Sequence, residues 1–160
     1  MRRKDREVTD IEGIEEIIKS CKTCHVAMVD DGMPYVVPLS FGYEIINGVL
    51  TLYFHSAKEG RKIDILHKNS SVCFEMCCEG EPINAKKTPC NSGYYFSSVL
   101  GNGKIEFSTD TNEKIKALTL LMKHQAGIDV IFNEKQVDTV CVYKVVTNDF
   151  TGKKKSRPVE

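Results

Sequence analysis

The chain has 160 residues, 41% of them hydrophobic, enough for one domain with a buried core and too few for two comfortable ones. Lys plus Arg and Asp plus Glu both number 22, which argues against nucleic-acid or anionic-membrane binding, since both draw on a broad excess of positive charge. No apolar run approaches the roughly 20 residues of a bilayer span, and the charged start leads into an amphipathic segment where a signal peptide would carry an apolar core, so a cytoplasmic protein is expected. We expect a single domain over residues 1–160, with the charged ends 1–9 and 154–160 as flexible tails.

Taken in chain order, residues 10–22 carry Ile11, Ile14, Ile17, Ile18 and Cys21 at helical spacing behind Thr9 or Asp10 as N-cap. Residues 25–30, 33–44 and 49–55 then read as strands joined by Asp31-Gly32 and Asn47-Gly48, the strongest short-range hairpin signals, and predict a three-stranded antiparallel meander. Pro34 and Pro38 confine the middle strand to an edge or a bulge. Ser56 followed by Glu59 forms a capping-box pattern that starts a helix where the third strand stops. Residues 71–78 read as a buried strand, 79–93 as a long loop, and 94–107 as a strand pair or one bent strand with Gly101-Asn102-Gly103 at the bend. Asp110 and Glu113 cap a further helix, and 137–150 alternates as a last strand. About six antiparallel strands and three helices in so short a chain favour a closed or partly closed barrel, with a sandwich as the alternative.

Two segments have residue types that suggest chemistry. After the third strand, the free amides of a helix N-terminus, the Ser56 hydroxyl and the cations Lys58, Arg61 and Lys62 converge within two turns. Arg suits bidentate contact with phosphate oxygens and Lys supplies a point charge, so this is a candidate phosphate site. An ordinary capped surface helix with its cations in water fits the same residues. Cys21-Lys22-Thr23-Cys24-His25 matches the haem-attachment pattern by letter, yet covalent haem belongs to exported proteins and His25 falls at a strand start. Zinc ligation by these residues with Cys77 or Cys78 lacks a second pair at zinc-ribbon spacing, so packing is the preferred account and no metal site is expected. The seven cysteines read as reduced, mostly buried thiols, and adjacent Cys77 and Cys78 point to opposite faces of a strand. Of the histidines, only His55, at the mouth of the phosphate site, is nominated for function.

Pro34-Tyr35-Val36-Val37-Pro38-Leu39-Ser40-Phe41, Leu52-Tyr53-Phe54-His55-Ser56-Ala57, Gly60-Arg61-Lys62 and the block from Cys90 to Ser97-Ser98-Val99 together resemble the FMN-binding split-barrel proteins. The nearest group is the 5-nitroimidazole-resistance proteins, relatives of pyridoxamine 5'-phosphate oxidase. The likeness runs from about Ile14 to Lys153. It implies a mainly β protein, a six-stranded antiparallel split β-barrel of Greek-key type with about three flanking helices, assembled as a homodimer with FMN at the subunit interface. It further implies that His55, Ser56, Ala57, Arg61 and Lys62 surround the phosphate and ribityl chain and that Ser98 and Val99 close over it. Pro38, Leu39 and Ser40 would line the isoalloxazine edge, and Lys153 would reach the flavin or the partner.

The chain departs from the oxidase pattern in having no Trp, which places vitamin B6 oxidation in doubt. The function expected is therefore NAD(P)H-dependent reduction of small acceptors such as nitroaromatic or 5-nitroimidazole compounds, with His55 as a candidate proton donor. A non-enzymatic flavin store or redox sensor, or a haem-binding protein on the same barrel, are the alternatives.

Overall fold

The computed structural model describes residues 2–83, 90 and 92–156. Its regular elements, in chain order, are a 3-10 turn at Lys4–Arg6, β1 (Glu7–Val8), α1 (Ile11–Ser20), β2 (Thr23–Asp30), β3 (Met33–Ser40), β4 (Gly42–Ile46), β5 (Val49–Ser56), α2 (Arg61–Lys68), β6 (Ser71–Ile83), β7 (Gly93–Phe107), α3 (Thr111–Ala126), α4 (Glu134–Val137), β8 (Cys141–Thr147) and β9 (Phe150–Lys155). All strand pairs are antiparallel, in the order β3-β2-β6-β7-β8-β5-β4, with β9 against β7 and β1 against β9. The fold is the mainly β split barrel that the sequence predicts.

Both hairpin turns form as expected. Asp31 and Gly32 take φ of 49° and 85°, and Asn47 and Gly48 take 52° and 78°, the paired left-handed conformation that matches strand twist. The expected three-stranded meander does not form. The stretch 33–44 breaks at the fully buried Phe41 into β3 and β4, which end at opposite edges of the strand order. Burying Phe41 in the core turns the chain out of one ladder into another, and Pro34 and Pro38 duly occupy an edge strand.

Three other expectations change. Glu79–Ile83 continues β6 instead of opening a loop, because its ladder to β7 resumes at Pro82 opposite Tyr94 after an irregularity that absorbs the proline; residues 84–89 and 91 of the expected loop lie outside the described residues. The single last strand resolves into α4, β8 and β9. The expected tails are partly strand, with Glu7 opposite Lys153 and Lys154 and Lys155 opposite Ser97 and Phe96.

The bend at Gly101-Asn102-Gly103 has a topological purpose. There β7 exchanges one neighbour, β9 along Phe96 to Gly101, for another, β8 along Ile105 to Phe107. A Cβ at Gly101 would stand 2.4 Å from Phe74 and 2.7 Å from the Asp149 carbonyl, so only glycine admits this crossing.

The barrel interior is filled by Ile14, Ile17 and Ile18 of α1, Leu50, Leu52 and Phe54 of β5, and Phe74, Met76, Val99 and Tyr143. α3 covers the outer face of β5 and β8, placing Ala117 and Leu118 against Tyr53 and Val142. β5 is thus buried on both faces, which is why its sequence reads as a nearly continuous apolar run.

Candidate functional site

β5 delivers the candidate phosphate segment and α2 carries it onward, but the connection differs from the capping box expected. Ser56 ends β5 and its hydroxyl donates to the neighbouring Ala57 carbonyl at 2.8 Å. Gly60 is the N-cap, at φ 131° and with open space where a side chain would stand, and its carbonyl accepts from the amides of Ile63 and Asp64. A left-handed residue is needed to swing the chain from strand to helix there, and glycine supplies it without strain. Arg61 and Lys62 are therefore the first two helical residues, beside the amides that face outward at a helix start.

Arg61 does not stand free in water. Its Nε and Nη2 both lie 3.1 Å from Asp30 Oδ2, and its guanidinium sits 4.4 Å above the Tyr35 ring. The helix start is thereby tied to the β2–β3 hairpin. The charges of Lys58 and Lys62 are felt at Cys141, the register partner of Ser56. Burial pushes the Cys141 thiol up, while Lys114, Lys58 and Lys62 oppose it, so three cations share one field at the end of β5 and β8. The Tyr143 hydroxyl lies beneath this end of the barrel, fully buried and with no hydrogen-bond partner among the described residues; burial pushes the phenol up to about 12, with Ser56 beside it pulling the other way. An orphaned hydroxyl of this kind is costly unless something fills its place.

His55 takes the other face of β5. It lines an apolar cavity of about 380 Å³ with Leu118, Leu121, Met122, Phe132 and Val140, beneath α3 and the α4 region. Burial, and secondarily Lys62, hold its pKa below the ordinary histidine value, so the ring is neutral at pH 7.

The remaining residues fall in two places. Ser98 pairs directly with Lys153, whose Nζ lies 5.3 Å over the Phe96 ring. Val99 is fully buried, with β6 on one side of its backbone and β9 on the other. Pro38 and Ser40 face outward from β3 while Leu39 turns toward the core. Because β2 and β6 intervene between β3 and β7, these residues are separated from Ser98 by three strand spacings, about 14 Å along the sheet.

Sequence reasoning missed Asp30, Tyr35 and Tyr143. Asp30 and Tyr35 meet Arg61 only through long-range contact, and Tyr143 resembles any core aromatic until its hydroxyl is seen to lack a partner. The haem-like motif is dispersed: Cys21 and Cys24 are buried, whereas His25 points outward and its Nδ1 lies 3.2 Å from Glu75. Among the described residues, no three His, Cys, Asp or Glu side chains are grouped to hold a metal ion. His124 and His67 are structural: His124 donates to the Cys21 carbonyl at 2.8 Å, and His67 stacks on Phe107 at 4.4 Å.

A mainly β split barrel with a cationic strand-to-helix turn is the class of protein that the geometry defines, and the sequence places it in a family. Residues 10–154 match the pyridoxamine 5'-phosphate oxidase family, and the chain belongs to it. It is similar to the solved structure of a candidate 5-nitroimidazole antibiotic resistance protein from Bacteroides thetaiotaomicron, at 35% identity over 92% of this chain and 86% of that one, with a TM-score of 0.79. The fold is shared with a flavocytochrome from Azotobacter vinelandii (20% identity, 99% and 73% covered, TM-score 0.80) and an FAD- and haem-binding protein from Mycobacterium smegmatis (16%, 97% and 76%, 0.76). No curated protein matches the chain by sequence. Among the described residues no helix is long and apolar enough to cross a membrane.

Proposed function

We propose that this protein binds FMN and reduces small oxidised acceptors, nitroaromatic or 5-nitroimidazole compounds among them, with electrons from NADH or NADPH. The observation that carries the reading is the cationic turn after β5, where Arg61 and Lys62 open α2 beside Lys58 and above the orphaned Tyr143 hydroxyl. These residues fit a phosphate monoester: two cations and outward-facing helix amides offer charge-assisted hydrogen bonds, and Gly60 leaves the approach open. The 35% identity to a candidate 5-nitroimidazole resistance protein supports the acceptor class.

In this reading the chain works as one cytoplasmic domain that pairs with a second copy. One copy gives Arg61, Lys62, Ser56 and Ala57 to the phosphate and ribityl chain, and Pro38, Leu39 and Ser40 to the ring edge. The other gives Ser98 and Lys153, with Val99 packed behind them. The separation of the two groups within one chain supports this division, as does the exposed apolar surface of the β2–β3 hairpin, where Val29, Met33 and Val36 are about half exposed or more. FMN, when bound, supplies the two-electron chemistry. The protein orients it, and His55 stands in the wall of the apolar cavity, which has room for a small aromatic acceptor; with its pKa lowered, it donates a proton only in the fraction of molecules whose ring is charged, so donation favours acidic pH.

Purified protein should be yellow with a flavin spectrum, release FMN on denaturation, and bleach on anaerobic addition of NADH or NADPH. A bound flavin that neither nucleotide reduces would replace the reductase with a flavin store or sensor. Release of FAD would overturn the choice of cofactor, and a Soret band would move the protein to the haem-binding relatives.

A further inference from the structure

A second reactive arrangement lies away from the cationic turn, at the junction of α1 with β6. Cys21, the residue that ends α1, is buried, and its Sγ is 3.3 Å from Sγ of Cys78 in β6, 57 positions further along the chain. The contact is held from both sides. The Cys21 amide donates to the Ile18 carbonyl, and the Cys21 carbonyl accepts from His124 at 2.8 Å. Cys78 is fixed in its ladder opposite Ser97; its thiol donates to the Ser20 carbonyl at 3.1 Å and its sulfur accepts from the Ser20 hydroxyl at 3.4 Å. A disulfide needs its sulfurs at about 2.05 Å. The pair is therefore a little over an ångström short of a bond, with both backbones in place.

We propose that Cys21 and Cys78 form a reversible intramolecular disulfide when the protein meets a hydroperoxide. Cys78 is half-buried and Cys21 fully buried, which sets the order of events. The Cys78 sulfur attacks the peroxide, the O–O bond breaks, and the products are a sulfenic acid on Cys78 and water or an alcohol. The Cys21 sulfur then displaces the sulfenic hydroxyl: the S–S bond forms, the S–O bond breaks, and hydroxide leaves with the Cys21 proton as water. Two thiols are oxidised and one peroxide is reduced. A dithiol reductant reverses the bond. Burial, reinforced by Cys78, pushes the Cys21 thiol up to about 12, so the second step speeds up with alkaline pH.

Cys77 is the natural competitor, being more exposed and adjacent in sequence. Strand alternation directs it away from Cys21 and toward Glu75, which helps to raise its pKa after burial has done so. The linkage would join α1 to the strand that pairs, through Cys77 and Ser98, with the Lys153 group, so oxidation reports on a rigid part of the barrel next to one half of the proposed flavin site. It does not depend on that site being occupied.

The experiment is to treat the full-length protein with hydrogen peroxide, count thiols after denaturation, and map peptides without reduction. The expected result is a loss of two of the seven thiols, a Cys21–Cys78 cross-linked peptide, and recovery of all seven with a dithiol reductant. Cys77→Ser should keep the cross-link, and Cys78→Ser should remove it. A cross-link through Cys77 or Cys24, a bond between two chains, irreversible oxidation of Cys78, or seven surviving thiols would each overturn the proposal. Since the wild-type peptide map decides the pairing by itself, poor folding of a variant does not shield the idea.

Discussion

Residues 21–25 and 55–62 both look like cofactor motifs in the sequence, and the fold treats them in opposite ways. In the first, the chain enters β2 at Thr23, and alternation buries Cys24 while turning His25 outward to Glu75. Cys21 has already been turned under α1. The two thiols are thus packed into the core while the imidazole faces out. In the second, the chain leaves β5 at Ser56 and enters α2 at Arg61, so residues that a continuing strand would have scattered are wound back onto one corner. Spacing in a sequence has chemical meaning only with the backbone that carries it.

The largest expected effect tests the intact motif. Arg61→Ala with Lys62→Ala should weaken FMN binding by roughly 3–6 kcal/mol, taking about 1.5–3 kcal/mol for each charge-assisted contact. Titration calorimetry of flavin-free protein measures it, and unchanged affinity would put the phosphate elsewhere. The dispersed motif should behave in the opposite way. Cys24→Ser places a hydroxyl in a buried apolar site and should cost stability, about 1–3 kcal/mol by denaturant unfolding, while the flavin stays bound. Loss of a bound metal or haem on that change would restore the motif reading.

Much of this contrast could be read from the residues, and the part that could not has a common cause. Hairpins at Asp31-Gly32 and Asn47-Gly48, the capped helix behind Asp110 and the edge position of the prolines follow from local rules, and each forms. The cations at residues 58–62 were visible for the same reason. The break at Phe41, the added strand β9 and the extension of β6 depend on which ladder accepts each segment, and no local pattern encodes that. So does the meeting of Arg61 with Asp30 and Tyr35. The cap lies at Gly60 although Ser56 and Glu59 match a capping box by letter, because the turn from strand to helix needs a left-handed residue. His55 was expected at the mouth of the phosphate site; as Ser56 takes the barrel side of β5, His55 faces the cavity under α3.

A smaller effect concerns pH. His55 and His124 both have pKa values lowered chiefly by burial, His55 with help from Lys62. A folded-state pKa below the unfolded one means that the unfolded chain takes up the proton first. The stabilisation is complete above about pH 6.5, the ordinary histidine value, and is lost as pH falls through the folded-state values. Thermal unfolding between pH 7.5 and 5 should show melting temperature falling with pH. Replacing His55 with Gln should flatten part of that slope, and a slope independent of both histidines would assign it to carboxylates.

The smallest expected effect concerns the contact that most qualifies the phosphate site. Asp30 holds Arg61 from the hairpin side, and a phosphate arriving at the helix start meets that carboxylate's field together with the cations. Arg61 is largely exposed and Asp30 less so, which keeps the pair in the range of about 0.2–1 kcal/mol for accessible ion pairs. Asp30→Asn should therefore leave the fold's stability nearly unchanged and tighten FMN binding by a few-fold, with the gain shrinking as salt is raised. The opposite sign is equally informative. If Asp30→Asn weakens binding, Asp30 acts by holding the guanidinium over Tyr35 in the orientation the phosphate needs, and the cationic turn is a preorganised cradle whose geometry depends on the hairpin. Affinity measured for the single variant and for its combination with Arg61→Ala separates the two, because a positioner's effect vanishes once Arg61 is gone, whereas the carboxylate's repulsion of the phosphate persists.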